Sequence, residues 1–123
     1  MPPKGPAIDL DRLKHMLRAA KDAVTIAQGR QRDELNTDIL LQHALVHCVQ
    51  VIGEAAARVS EAGRSQVPEL PWARIVGMRH ILVHDYFGID YDAIWRVVMQ
   101  HIPQMIPLLD AAITGWPAEQ GEP

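Results

Sequence analysis

Between about Asn36 and about Ser60 the sequence carries Ile39, Leu40, Leu41, Leu45, Val46, Val49, Val51 and Ile52. On a helix these residues wrap most of the circumference. Only a narrow stripe stays polar: His43, His47, Gln50 and Glu54, at spacings of 4, 3 and 4. A helix apolar on so many sides must be covered on several sides. A small bundle covers one or two of them, and a second copy of the chain can cover the rest. The segment therefore predicts a central bundle helix in a protein that pairs with itself. Cys48 falls on the apolar side, which predicts a buried, inert thiol.

The flanking segments supply the cover. A first helix is expected from near Asp9 to Gly29, with Asp9 and Asp11 as cap and dipole partners. Leu13, Met16, Leu17, Ala20, Ala23, Val24 and Ala27 form its apolar stripe, and Lys14, Arg18, Lys21 and Asp22 lie opposite. A charged connector, Arg30 to Glu34, follows, and Gly63 to Pro71 reads as a loop. A third helix is expected from Pro71 or Trp72, ended by Gly88 or just before it. A fourth begins at Asp90 or Asp92 and carries Ile94, Trp95, Val97, Val98, Ile102, Met105, Ile106, Leu108 and Leu109. Pro103 and Pro107 interrupt it. An interior proline costs about 3 kcal/mol and kinks a helix. Both project to the side of Asp92, Arg96 and Asp110, the expected solvent side. Trp72, Trp95 and Trp116 read as packing residues rather than base-stacking platforms.

No stretch alternates long enough to form a sheet. The expected fold is all-α, a compact antiparallel bundle of four to five helices, dimeric. At 123 residues it is one domain, 1–123, with loose ends at about 1–8 and 115–123.

Charge limits the partners. The chain has 12 basic and 15 acidic residues, a net charge of −3, so any contact with a polyanion must be local. Nine of the basic residues are Arg, which makes forked contacts with phosphate. There is no apolar run of roughly 18 residues and no signal-peptide core, so the expectation is a cytoplasmic protein without a membrane contact. A single cysteine excludes an intrachain disulfide framework.

The densest polar cluster runs from Met78 to Gly88. Within it Arg79, His84 and Tyr86 follow the pattern Arg-x4-His-x-Tyr. On a continuous helix, at roughly 100° per residue, Arg79 and Tyr86 point the same way and His84 points well off. The three converge if the helix loosens near Asp85. They would supply a guanidinium for phosphate, an imidazole for proton transfer and a phenol as hydrogen-bond donor. That inventory suits cleavage of a phosphodiester by a 2′-hydroxyl. On spacing alone a structural histidine and a surface arginine compete with this reading. Metal is a further rival: His43 with His47, and His80 with His84, are four-residue pairs that could share an ion, with Glu54 or Asp85 adding oxygen. The stripe of His43, His47, Gln50 and Glu54 is otherwise a solvated face. Alternatively, with His80 and Asp85, it lines a groove leading to Arg79 and His84, with Glu54 orienting one of them.

Several separated stretches share a resemblance. Ile52-Gly53-Glu54-Ala55-Ala56, the run Pro71 to Arg79, the run Leu82 to Phe87, and Trp95-Arg96-Val97-Val98 are similar to the HepT branch of the HEPN superfamily, in the right order, from about Leu10 to about Ile113. The resemblance implies an all-α dimer whose Arg-x4-His-x-Tyr motifs face each other as a ribonuclease site. It also implies the toxin of a type VII toxin–antitoxin pair, whose partner is a small MNT-type nucleotidyltransferase. On this footing Arg79, His84 and Tyr86 are catalytic, Tyr86 is the site at which the partner attaches AMP, and no metal or cofactor is needed. Many relatives carry Asn directly after the motif arginine, whereas this chain has His80.

Two functions follow. One is a metal-independent endoribonuclease acting on RNA and silenced by adenylylation. The other is a non-catalytic, nucleotide-binding adaptor of the nucleotidyltransferase, which the acidic net charge favours.

Overall fold

The α2 helix, Ile39–Ala57, packs against the helices Pro6–Ala27 and Trp72–Val83, while the last helix, Ile102–Thr114, packs on the first of these. A computed structural model describes residues 6–83 and 88–117, with side chains from Ile8 to His80 and from Gly88 to Pro117. Among the described residues there are helices and turns and no strand, so the chain is all-α. Leu41, Leu45, Val49, Ile52 and Ala56 of α2 are buried, while Ile39 and Leu40 in its first turn are 60% and 78% exposed. By length and composition α2 could cross a membrane. Its buried side packs inside the bundle, however, and His43, His47, Gln50 and Glu54 all lie exposed, as befits a core helix with one wet stripe.

The α1 helix, Pro6–Ala27, runs antiparallel to α2 and also packs on the last helix. Leu13, Met16, Ala20 and Ala23 are wholly buried, and Lys14, Arg18, Lys21 and Asp22 are exposed, as the spacing predicts. Gly29 ends the connection with φ +76°, a conformation that glycine adopts without steric cost. The helix starts three residues before Asp9, so the expected loose end up to residue 8 is partly helical. Asp9 lies in the first turn but does not cap it. Its buried carboxylate accepts hydrogen bonds from the Ser60 backbone N–H at 2.9 Å and from the Ser60 hydroxyl at 2.6 Å. A tertiary bond across 51 positions has taken the side chain from the local role the sequence suggests.

A 3-10 turn, Arg32–Asn36, precedes α2, so the helix begins later than Asn36. Its N-cap is Asp38, which accepts from the backbone N–H groups of Leu40 and Leu41 at 3.1 Å each. Arg30 clamps this corner through Glu34 at 2.7 Å and through Asp38. Part of the loop expected at Gly63 to Pro71 is helical too: α3, Glu61–Ser65, is capped by the Ser60 hydroxyl, which accepts from Gly63 N–H at 3.0 Å.

The α4 helix, Trp72–Val83, starts where the sequence places it. Trp72 anchors that start by donating its indole N–H to the Val67 carbonyl at 3.0 Å, under the Arg64 guanidinium. The α5 helix, Tyr91–Arg96, is capped by Asp90 and passes through a π-helical segment, Val97–His101, into α6, Ile102–Thr114. Pro103 accounts for the π segment. Its ring would crowd the carbonyl of Met99 in a regular helix and it donates no bond there. Wider turns, with Ile102 N–H reaching the Val97 carbonyl, make room for it. Pro103 and Pro107 are both exposed, as expected. Trp72, Trp95 and Trp116 pack against the core, again as expected.

Candidate functional site

The site begins with a close crossing of α2 and α4. Ile52, Ile75 and Met78 are buried at this contact, which fixes the two helices. Gly53 lets them approach. A β-carbon there would lie 2.7 Å from Arg79 Cγ and 3.3 Å from the Arg79 backbone nitrogen. The stem of Arg79 therefore runs directly over Gly53. One residue further on, Glu54 Oε1 meets Arg79 Nη1 at 3.5 Å. The two side chains are 36% and 48% exposed, so the pair adds little to stability. Its value is directional: a carboxylate beside a guanidinium limits where the fork can point. Of the two side chains that Glu54 was expected to orient, it meets Arg79. Gly53 is a positioning residue that residue type and spacing alone do not reveal, because its role exists only across two helices.

His84, Asp85 and Tyr86 lie outside the described residues, so the geometry of the motif is described at Arg79 alone. On one side of that segment stands the end of α4 at Val83. On the other stands Gly88, with φ +129°, followed by the Asp90 cap of α5. His80 is exposed, at the end of α4.

The polar stripe of α2 lines one wall of a groove of about 320 Å³ between α1 and α2. His47, Gln50 and Glu54 come from α2 and Arg58 from its C-cap, and Arg12 and His15 face them from α1. His43, one turn away, is exposed and is not part of the lining. Arg12, His15 and Arg58 were not foreseen. On a single helical wheel they belong to solvated faces, and only the pairing of α1 with α2 turns them toward one space. Glu54 belongs to both the groove and the Arg79 pair, so the two are contiguous.

The metal alternative finds no support among the described residues, where no three His, Cys, Asp or Glu side chains are grouped to hold one ion. Burial pushes the Cys48 thiol up to about 11, with Asp22 adding to the shift, so it is protonated at neutral pH and a poor nucleophile.

The family model described as Ribonuclease HepT-like matches residues 16–112. A candidate RNase of Methanocaldococcus jannaschii is 31% identical over 76% of this chain and 85% of its own length. One of Caldanaerobacter subterraneus is 31% identical over 76% of this chain and 83% of its own. A candidate ribonuclease HepT of Thermococcus cleftensis is 29% identical over 75% of this chain and 87% of its own. No solved structure matches the chain.

Proposed function

The chain belongs to the HepT-like ribonuclease family, and from that membership we propose that it is a metal-independent endoribonuclease. The observation that carries the proposal is Arg79, seated over Gly53 and held by Glu54. In this reading His84 takes the proton from a ribose 2′-hydroxyl. The 2′-oxygen attacks the adjacent phosphorus, the bond to the 5′-oxygen breaks, and the departing 5′-oxygen takes up a proton from water. Arg79 binds the non-bridging oxygens as negative charge builds on them, the kind of electrostatic help that is often the largest contribution. Tyr86 positions the phosphate or the departing oxygen. The products are a 2′,3′-cyclic phosphate and a strand that begins with a 5′-hydroxyl. The motif supplies its own proton acceptor and phosphate ligand, so the reaction needs no ion.

The same reading places two copies of the site together in a homodimer and makes the chain the toxin of a toxin–antitoxin pair. An MNT-type nucleotidyltransferase would silence it by attaching AMP to Tyr86. The added phosphate would be drawn to Arg79, where the RNA phosphate must bind, and the nucleoside would fill the approach. A second reading, a nucleotide-binding adaptor without catalysis, is favoured by the net charge of −3.

A gel of total RNA incubated with wild-type and His84→Ala protein, with and without EDTA, tests the nuclease. Cleavage is expected from wild type in both conditions and from the variant in neither. Loss in EDTA that zinc or manganese restores would move the chemistry to the histidine pairs. Growth arrest on expression of the chain alone separates toxin from adaptor.

A further inference from the structure

The groove between α1 and α2 contains a cationic group that no contact in the bundle explains. Arg12 Nε is shielded from solvent and has no hydrogen-bond partner among the described residues. Buried polar atoms of this kind are rare and call for a ligand, a water or an ion. Arg64 Nε is also orphaned, but the rest of that side chain is engaged: it donates to the Ala56 carbonyl at 3.2 Å and stacks over Trp72. Arg12 has no such explanation. Across the groove Arg58 is exposed and forms no ion pair with a described residue. His15 and His47 complete the donors. The one carboxylate in the lining, Glu54, leans on Arg79.

Two unpaired guanidinium groups and two imidazoles, with the single carboxylate turned to Arg79, make the groove a site for phosphate oxygens. The protein as a whole is acidic, so this local concentration is not a by-product of a basic surface. The groove also has a direction, since Glu54 joins it to Arg79. We infer that the α1–α2 groove binds a backbone phosphate of single-stranded RNA flanking the phosphate held at Arg79, through Arg12 and Arg58. This deepens the ribonuclease reading and rests on it. A strand held at two points is also held in register, which is what an enzyme without an extensive basic face requires.

Binding is read with a fluorescent 2′-O-methyl oligoribonucleotide, which lacks the attacking hydroxyl and stays intact. Anisotropy is followed against salt concentration. For single strands the slope of log K against log salt is about −0.7 per neutralised phosphate contact. Arg12→Gln/Arg58→Gln is expected to weaken binding roughly 10-fold or more at low salt and to flatten the slope by about 0.7, the share of the one flanking phosphate. Arg58→Gln alone, at an exposed position, should weaken binding and flatten the slope in the same direction by less, and keeps the test valid if the Arg12 change impairs folding. Lys14→Gln, an equal charge change on an exposed side of α1, should leave the affinity as it is. Wild-type affinity and slope in the double variant would overturn the phosphate site while leaving cleavage of natural RNA by wild type, and hence the nuclease reading, intact. Displacement of the oligonucleotide from wild type by stoichiometric ATP would overturn it in favour of a free nucleotide. A wild-type protein that neither cuts nor binds RNA would overturn both.

Discussion

Arg79 is held by geometry that a small change elsewhere would disturb. Gly53→Ala drives a methyl group into the Arg79 stem at 2.7 Å, and the nearby backbone nitrogen at 3.3 Å leaves little room to retreat. We expect a stability loss of about 1–3 kcal/mol, with a larger fall in RNA cleavage than that loss explains, because the displaced residue is the proposed phosphate ligand. Gly77→Ala on the same α4 helix is the matched comparison. A β-carbon there meets nothing within 4 Å, so the variant should gain about 0.4–1 kcal/mol from a stiffer unfolded chain. Thermal melts and cleavage rates of the two variants check both statements. Arg79→Lys keeps the charge but replaces a planar fork with a point charge, and it should fail to restore cleavage lost in Arg79→Ala. Full activity of the Lys variant would show that net charge alone matters at this position.

At the scale of elements, the corner before α2 is an acid-sensitive joint. Asp38 is held below its ordinary 3.8 by the Leu41 N–H and then by Arg30. Glu34 is held below its ordinary 4.5 by the Gln31 N–H and then by Arg30. Both carboxylates bind protons less readily in the folded chain than in the unfolded one. Their contribution is therefore complete above about pH 5 and is lost as pH falls through the folded values. The melting temperature should start to drop below about pH 5 and fall further as these groups protonate. Asp38→Asn keeps an acceptor at the cap and loses the ion pair, so its melt should depend less on acid. Asp38→Ala removes both and should melt a few degrees lower at neutral pH as well. The same corner shows what could be read in advance. Apolar residues at three- and four-residue spacing placed α1, α2, α4 and the long last helix, because burial of one face decides the period. Helix ends and short turns are decided by individual hydrogen bonds. Asp38 rather than Asn36 opens α2, Asp9 bonds Ser60 instead of capping, and α3 lies within a stretch too short to show a period. At the site, the motif was legible as a resemblance, whereas the groove required knowing which face of α1 meets α2.

At the scale of the whole molecule, the described residues leave apolar surface exposed. Ile39 and Leu40 are 60% and 78% exposed, Met99 is 48% exposed and Val24 is 37% exposed. Among the described residues the bundle covers only the buried side of α2 and leaves these side chains exposed. The long-range electrostatics allow self-association, since a net charge of −3 per chain repels a second copy only weakly at physiological salt. A specific dimer buries about 1,200 Å² or more in total, so each protomer would commit roughly 600 Å² of its 7514 Å² surface. We expect light scattering at micromolar concentration to report twice the 13.7 kDa chain mass. The mass should persist at high salt, because apolar contact strengthens or holds as ions are added while charge pairing is screened. A monomer under both conditions would count against self-pairing and against a site built from two copies of Arg79. A dimer that dissociates at high salt would keep the pairing and reassign its cause from the exposed apolar residues to charge. Leu40→Glu distinguishes these outcomes further. If the first turn of α2 lies in the contact, the variant should be monomeric with an unchanged helical circular-dichroism spectrum, and its RNA cleavage should fall along with its mass.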